Sequence, residues 1–289
     1  MKKGLFFVVI IGVAAAGFFI WKGNNPASAP QKNSEDPFNT TYTIEGRGVA
    51  LVLGKAEDAI VPGAASKQTT KVFGEPVYGD LDLDGDDDAA VLLTQDGGGS
   101  GTFFYASAAI NDGGAYKGTK AILLGDRIAP QNVQIREGFL IANYVERKAD
   151  EPMTAQPSVG VSMYATLTKE GLTLISPRNG NKNDLISAGT PAPLEHISSP
   201  LSISGQARGN WYFEASFPIV LTDIDGNVIA QWYAQAQDEW MTTDFVPFKA
   251  TLEFDAPTTT KKGILILKKD NPSGLPEHDD ELDIPVIFE

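Results

Sequence analysis

The chain is made of short apolar runs, and almost none has the spacing of a helix. From about residue 40 onward, stretches rich in β-branched and aromatic side chains alternate with glycine-bearing turns. In the first half they are Tyr42 to Ile44, Val49 to Leu53, Lys71 to Tyr78, Ala89 to Thr94, Thr102 to Ile110, Lys120 to Leu124, Ile128 to Ile135, Phe139 to Val145 and Val159 to Leu167. Runs this short, with turn residues between them, predict strands that pack as layers or close as a barrel. The second half continues with Leu172 to Ile175, Leu201 to Gly205, Trp211 to Leu221, Val228 to Ala236, Phe248 to Phe254, Gly263 to Lys268 and Leu282 to Phe288. About seven strands in a segment of this size suit an immunoglobulin-like sandwich. Asp225, Gly226 and Asn227 would make a tight hairpin turn within it. The polar stretch from Arg178 to Leu194 reads as an insertion in its first loop. A short helix near Pro62 to Gln68 is compatible with the pattern. The expected fold class is therefore mainly β.

The exception is Leu5 to Trp21, a charge-free run of 17 residues. As a helix it would nearly span a hydrocarbon core of roughly 30 Å. Lys2 and Lys3 precede it and Lys22 follows, a modest bias that places the N-terminus in the cytoplasm and the bulk outside. The reading is a single-pass signal anchor over residues 1–23 in the cell membrane, followed by a flexible tether over 24–39 rich in Pro, Ala, Ser and Asn. Two extracytoplasmic domains follow, at 40–171 and 172–289. A cleaved signal peptide competes, because Ala27, Ser28 and Ala29 have the small-x-small form of a cleavage site. The chain has no cysteine, which excludes a disulfide framework and a lipoprotein thioether, so apolar cores must hold the domains, with metal as the one further device open to them.

Formal net charge is −14 at pH 7. Lys2, Lys3 and Lys22 are the only charges before residue 31, so the remainder carries a still larger negative excess. Such a surface repels nucleic acid and attracts divalent cations.

The densest chemistry lies in Asp80, Leu81, Asp82, Leu83, Asp84, Gly85, Asp86, Asp87 and Asp88. In the loop D-x-D-x-D-G-x-x-D, carboxylates at positions 1, 3, 5 and 9 and a backbone carbonyl at position 7 supply hard oxygen ligands, while glycine at position 6 makes the turn. Asp80, Asp82, Asp84, Asp86 and Asp88 are thus the candidate metal residues, for a structural Ca2+. An EF-hand is excluded, because position 12 falls on Val91 where glutamate is required. The stretch Tyr78 to Val91 resembles the calcium-binding hairpin of FG-GAP repeats of integrin-type propellers, in one loop only.

Catalytic signals are sparse. There are two histidines, His196 and His278, and no G-x-S-x-G elbow accompanies either. Asp96 to Gly101 is glycine-rich but lacks the Lys-Ser/Thr ending of a phosphate loop. Glu214, Asp238, Glu239 and Asp244 could pair for glycoside cleavage, but carboxylates are too abundant here for a pair to be informative. Trp211, Tyr212 and Phe213 read as strand residues with alternating faces. Trp211 and Trp240, with Arg208 and Asp270, are candidate ligand-binding residues for a sugar or peptide, the competing reading being that both tryptophans fill the core.

Five blocks carry a resemblance: Ser199 to Leu201, Gly205 to Gly209, Trp211 to Pro218, Trp240 to Phe248 and Lys269 to Gly274. In this order they resemble Gmad2, the immunoglobulin-like domain of bacterial spore germination, over about residues 172 to 289. The resemblance implies a bacterial extracytoplasmic sandwich that serves as an accessory or interaction module without established catalytic residues. The long Arg178 to Leu194 stretch departs from the family's shorter connection. The function expected is that of a membrane-anchored cell-surface protein that is not an enzyme and binds or supports within the envelope, with peptidoglycan, a glycan or an envelope protein as partner. An envelope hydrolase acting on wall polysaccharide is the alternative, and a role in germination rests on the family's name alone.

Overall fold

The computed structural model describes residues 36–59, 66–148, 150–177 and 180–289. Among them are 21 strands and three 3-10 turns, so the protein is mainly β, as the short runs require. The expected anchor at Leu5 to Trp21, the cleavage motif and most of the tether lie outside the described residues, and no helix among the described residues is long and apolar enough to cross a membrane. The expected helix near Pro62 also falls mostly outside them, and Lys67 and Gln68 begin a strand.

The first domain has three layers. β1 (Thr41–Ile44) and β2 (Arg47–Ala50) form a hairpin closed by Glu45 and Gly46, both with positive φ, as a primed two-residue turn demands. β3 (Lys55–Ala59), β4 (Lys67–Val72), β5 (Val77–Gly79), β6 (Asp88–Asp96), β7 (Phe103–Asp112), β8 (Ala115–Gly118) and β9 (Ile122–Asp126) make an antiparallel sheet in the order β3-β4-β6-β7-β8, with β5 also on β6 and β9 also on β7. The run expected from Lys71 to Tyr78 is split between β4 and β5, because Gly74 turns the chain with φ +76°. β10 (Ala129–Arg136), β11 (Phe139–Glu146), β12 (Val159–Thr168) and β13 (Gly171–Ser176) form a four-stranded meander.

Strand β6 explains the layering. Its residues Ala89 to Leu93 are apolar without alternation and buried without a break, the pattern of a strand covered on both faces. Ala90 and Leu92 face Leu140, Ala142 and Met163 of the meander, while Ala89, Val91 and Leu93 face Tyr42, Ile44 and Val49 of the hairpin.

The second domain comprises β14 (Ile186–Thr190), β15 (His196–Ile197), β16 (Leu201–Arg208), β17 (Ser216–Asp223), β18 (Val228–Ala236), β19 (Phe245–Leu252), β20 (Lys262–Lys268) and β21 (Glu281–Phe288). One leaf is β14-β16-β19 and the other is β18-β17-β20-β21-β15. They join only at Gln235 opposite Lys249 and Ala236 opposite Phe248, so the sheet folds over on itself. Phe217 is fully buried at the centre, edge-on to Tyr212 at 5.3 Å and Phe248 at 5.0 Å between ring centroids. This is an immunoglobulin-like sandwich.

Three expectations need correction. Leu172 to Ile175 does not open the sandwich: β13 pairs with β12 and Leu172 joins the first domain's core, because the Thr168 to Gly171 turn folds it back. Arg178 to Leu194 is not merely an inserted loop, since it contains β14, the sandwich's first strand. Ile186 and the small Ala188 anchor that strand, too little for a periodic signal. Trp211 to Phe213 are not strand residues. Gly209–Trp211 is a 3-10 turn, and Glu214 and Ala215, both with positive φ, reverse the chain into β17.

The two domains pack through Phe139, Ile141 and Ile175 against Leu194, Ile264 and Ile287. Lys262 crosses this seam, donating to Thr166 Oγ1 at 2.9 Å and Gly138 O at 3.4 Å. Burial pushes its ammonium pKa down, and Asp82 and Asp80 partly offset that effect.

Candidate functional site

The aspartate loop is the turn between β5 and β6, where Gly79 pairs with Asp88. Leu81, fully buried, pins its start into the first domain's core. Asn111 Nδ2 and the Tyr116 hydroxyl both donate to Asp87 O at 3.2 Å and hold its end. Gly85 has φ +101°, a backbone that side-chain-bearing residues rarely adopt.

Within this frame, carboxylate oxygens of Asp80, Asp82 and Asp88 lie within 4.8 Å of one another. Asp88 is fully buried. Its Oδ2 accepts from the N–H of Leu81 at 2.9 Å and Asp82 at 3.3 Å, and its Oδ1 from that of Asn111 at 2.8 Å. Asp80 accepts from the N–H of Asp84 and of Gly85, each at 3.1 Å. Desolvation raises the Asp88 carboxyl pKa, and desolvation followed by the charge of Asp88 raises that of Asp82. Among the described residues no lysine, arginine or histidine forms an ion pair with any of the three. Asp84 and Asp86 stand outside this triad: Asp84 Oδ1 accepts from Asp86 N at 2.9 Å, and Asp86 is exposed. The chemistry of the set is that of hard, anionic oxygen donors.

The other candidates meet at one corner of the sandwich, as packing groups. Trp211 is 1% exposed and belongs to the core, and Trp240 packs against the core's edge. A side chain on Gly209 would sit 2.0 Å from Thr242 O and 2.3 Å from Trp240 O, so the turn carrying Trp240 lies directly on that backbone. Arg208 Nε donates to Asp184 O and its Nη1 to Thr243 O, both at 3.0 Å, and its guanidinium lies 4.1 Å from the centre of the Phe245 ring. It straps two loops together. Asp270 N donates to Trp211 O at 3.0 Å, and burial raises the Asp270 carboxyl pKa. His278 Nδ1 lies 3.2 Å from Ser273 Oγ in an exposed turn, and His196 Nε2 lies 3.7 Å from Glu137 Oε1 across the domain seam.

Two features escaped the sequence. Lys182, nearly buried, pairs with Asp280 nearly a hundred positions away, and no local pattern announces such a contact. Trp232 and Tyr233 on β18 are 60% and 51% exposed. Their strand was legible, but that no described strand pairs beyond it was not.

No curated protein and no solved structure matches this chain. Residues 185–274, from the threshold of β14 to just past β20, match the family model of Gmad2, the immunoglobulin-like domain of bacterial spore germination.

Proposed function

We propose that this protein is a membrane-anchored bacterial cell-surface protein that acts as a binding or structural module in the envelope, its first domain stiffened by one calcium ion. The observation that carries the reading is the Gmad2 match on a sandwich whose interior is filled by Trp211, Phe217 and Phe248, which suggests a binding or structural module. The charge-free run of Leu5 to Trp21 supports the anchor. For the ion, the converging carboxylates of Asp80, Asp82 and Asp88 would serve as ligands, and the ion would add positive charge beyond what Lys262 brings to Asp80 and Asp82. A hydrolase would need paired carboxylates at a cleft. Glu146, Asp150 and Asp184 line a groove of about 680 Å³, so the test must separate the two roles.

The test is retention of the full-length protein on isolated peptidoglycan and on immobilised envelope proteins, with calcium and with EDTA. Saturable retention on either material supports the reading. Passage through both, together with release of soluble sugar from the wall, would replace it with the hydrolase.

A further inference from the structure

Among the described residues, no strand pairs with the outer edge of β18 over most of its length. Strand β18 pairs with β17 along its length, but with β19 only at Gln235 and Ala236. Ala236 N donates to Ala215 O on the β17 side and Gln237 N donates to Pro247 O on the other. Alternation therefore aims the N–H and C=O groups of Gln231 and Tyr233 at the open edge, up to the register shift at Ile229. The inner face is uncovered at the same place. Ile219, the partner of Trp232 in the register, is fully buried, whereas Trp232 on that same face is 60% exposed.

Natural edge strands are usually short, charged, proline-bearing or covered. Several other outer strands follow that rule: β3 carries Lys55, Glu57 and Asp58, β8 is four residues long with Lys117, β10 contains Pro130, and β13 lies against the second domain. β14 carries a register shift and β15 has two residues, whereas the one register shift of β18 lies at its start, opposite Leu221 and Thr222. β18 reads Val, Ile, Ala, Gln, Trp, Tyr, Ala, Gln, Ala, nine residues without a charge or a proline. Acidic groups bound it at both ends, Asp223 and Asp225 before it and Asp238 and Glu239 after it, offset only in part by Lys169 on Asp225 and by Lys249.

We propose that β18 is a docking edge that takes an extended segment of a cationic partner protein as an added antiparallel strand, with Trp232 covered by an apolar side chain of that segment. Two copies of this chain paired edge to edge would set these acidic ends against each other, which disfavours self-association. A partner strand with basic ends meets both the backbone and the charge. The inference rests on reading the sandwich as a binding module.

The experiment titrates full-length protein against a labelled peptide of the length of β18, alternating Val or Tyr with Thr and carrying lysine at both ends. Three controls are the same peptide N-methylated at alternate positions, the same peptide with glutamate ends, and the Gln231→Pro variant of the protein. Gln231 N–H points away from β17, so proline there removes an outward donor and leaves the existing ladder intact. Saturable binding is expected, weakened at least about tenfold by N-methylation, by glutamate ends and by Gln231→Pro, while the variant melts within about 2 °C of the parent. Trp232→Ala provides a second variant and should weaken binding similarly. Absence of saturable binding, or binding indifferent to N-methylation and to Gln231→Pro, would overturn the docking edge. Should retention on envelope material survive that outcome, the binding module stands and this surface is not its site.

Discussion

Asp88 and Asp82 belong to one carboxylate cluster but should fail in different ways. Replacing Asp88 with alanine strips the acceptor from three backbone N–H groups, of which that of Leu81 is buried and those of Asp82 and Asn111 can partly reach water. One orphaned buried donor costs about 1–3 kcal/mol, offset to a degree by losing a desolvated charge. The expected net loss in EDTA is about 2 kcal/mol, a fall in melting temperature of roughly 5–10 °C for a domain of this size. Asp82 is exposed and its Oδ1 accepts only a long bond from Asp84 N, so in EDTA its alanine variant should lie within about 0.5 kcal/mol of the parent. Calcium at about a hundredfold excess over its dissociation constant should stabilise the parent by about 2.7 kcal/mol. Neither variant should gain that increment. Asp82→Ala is thus silent in EDTA and defective in calcium, and Asp88→Ala is defective in both. Thermal melts of the three proteins in the two buffers read this directly. The reasoning fails if Asp82→Ala keeps the full calcium increment, or if Asp88→Ala melts with the parent in EDTA.

Further predictions concern the frame. Phe217→Ala should cost about 3–5 kcal/mol by denaturant titration, because the ring is wholly buried between Tyr212 and Phe248; a loss under about 1 kcal/mol would mean the sandwich is not packed around it. Gly209→Ala should destabilise by about 2 kcal/mol or more, since the added carbon meets backbone oxygens that cannot rotate away; an unchanged midpoint would contradict the close approach of the Trp240 turn. Lys262 has its folded-state pKa depressed by burial, so between that value and the usual lysine range the unfolded chain binds more protons, and this residue's contribution to stability rises with pH there. Relative to Lys262→Met, the parent should therefore gain stability on the alkaline side, as read from paired melts across a pH series; parallel curves would refute the shift.

The class of the fold was open to reading because β periodicity is local. Ala89 to Thr94 was legible as a strand by composition alone, and the blocks from Gly205 to Phe248 marked the sandwich. Misreadings fell where local chemistry is weak or where tertiary contact decides. β14 offers only Ile186 and the small Ala188, β13 could have closed either domain, and a glycine followed by aromatics at 209–213 looks like a strand until the left-handed residues Glu214 and Ala215 are seen. The aspartate spacing located the acidic loop, since ligand geometry repeats at fixed intervals, yet only three of its five candidates converge. Arg208 and Trp211 were visible as unusual residues, but their partners at Asp184, Thr243 and Asp270 lie far along the chain, so strap and core filler could not be told from a binding site. Exposure at Trp232 depends on which strands pair beside β18, and that pairing is tertiary.

Where the full-length protein resides tests the account most directly. Cells producing it should be fractionated, and external protease applied to intact, wall-stripped cells. The account predicts recovery with the membrane and digestion of the two β domains from outside, with a short lysine-bearing N-terminal piece protected. Recovery of undigested protein in the cytosolic fraction would contradict it.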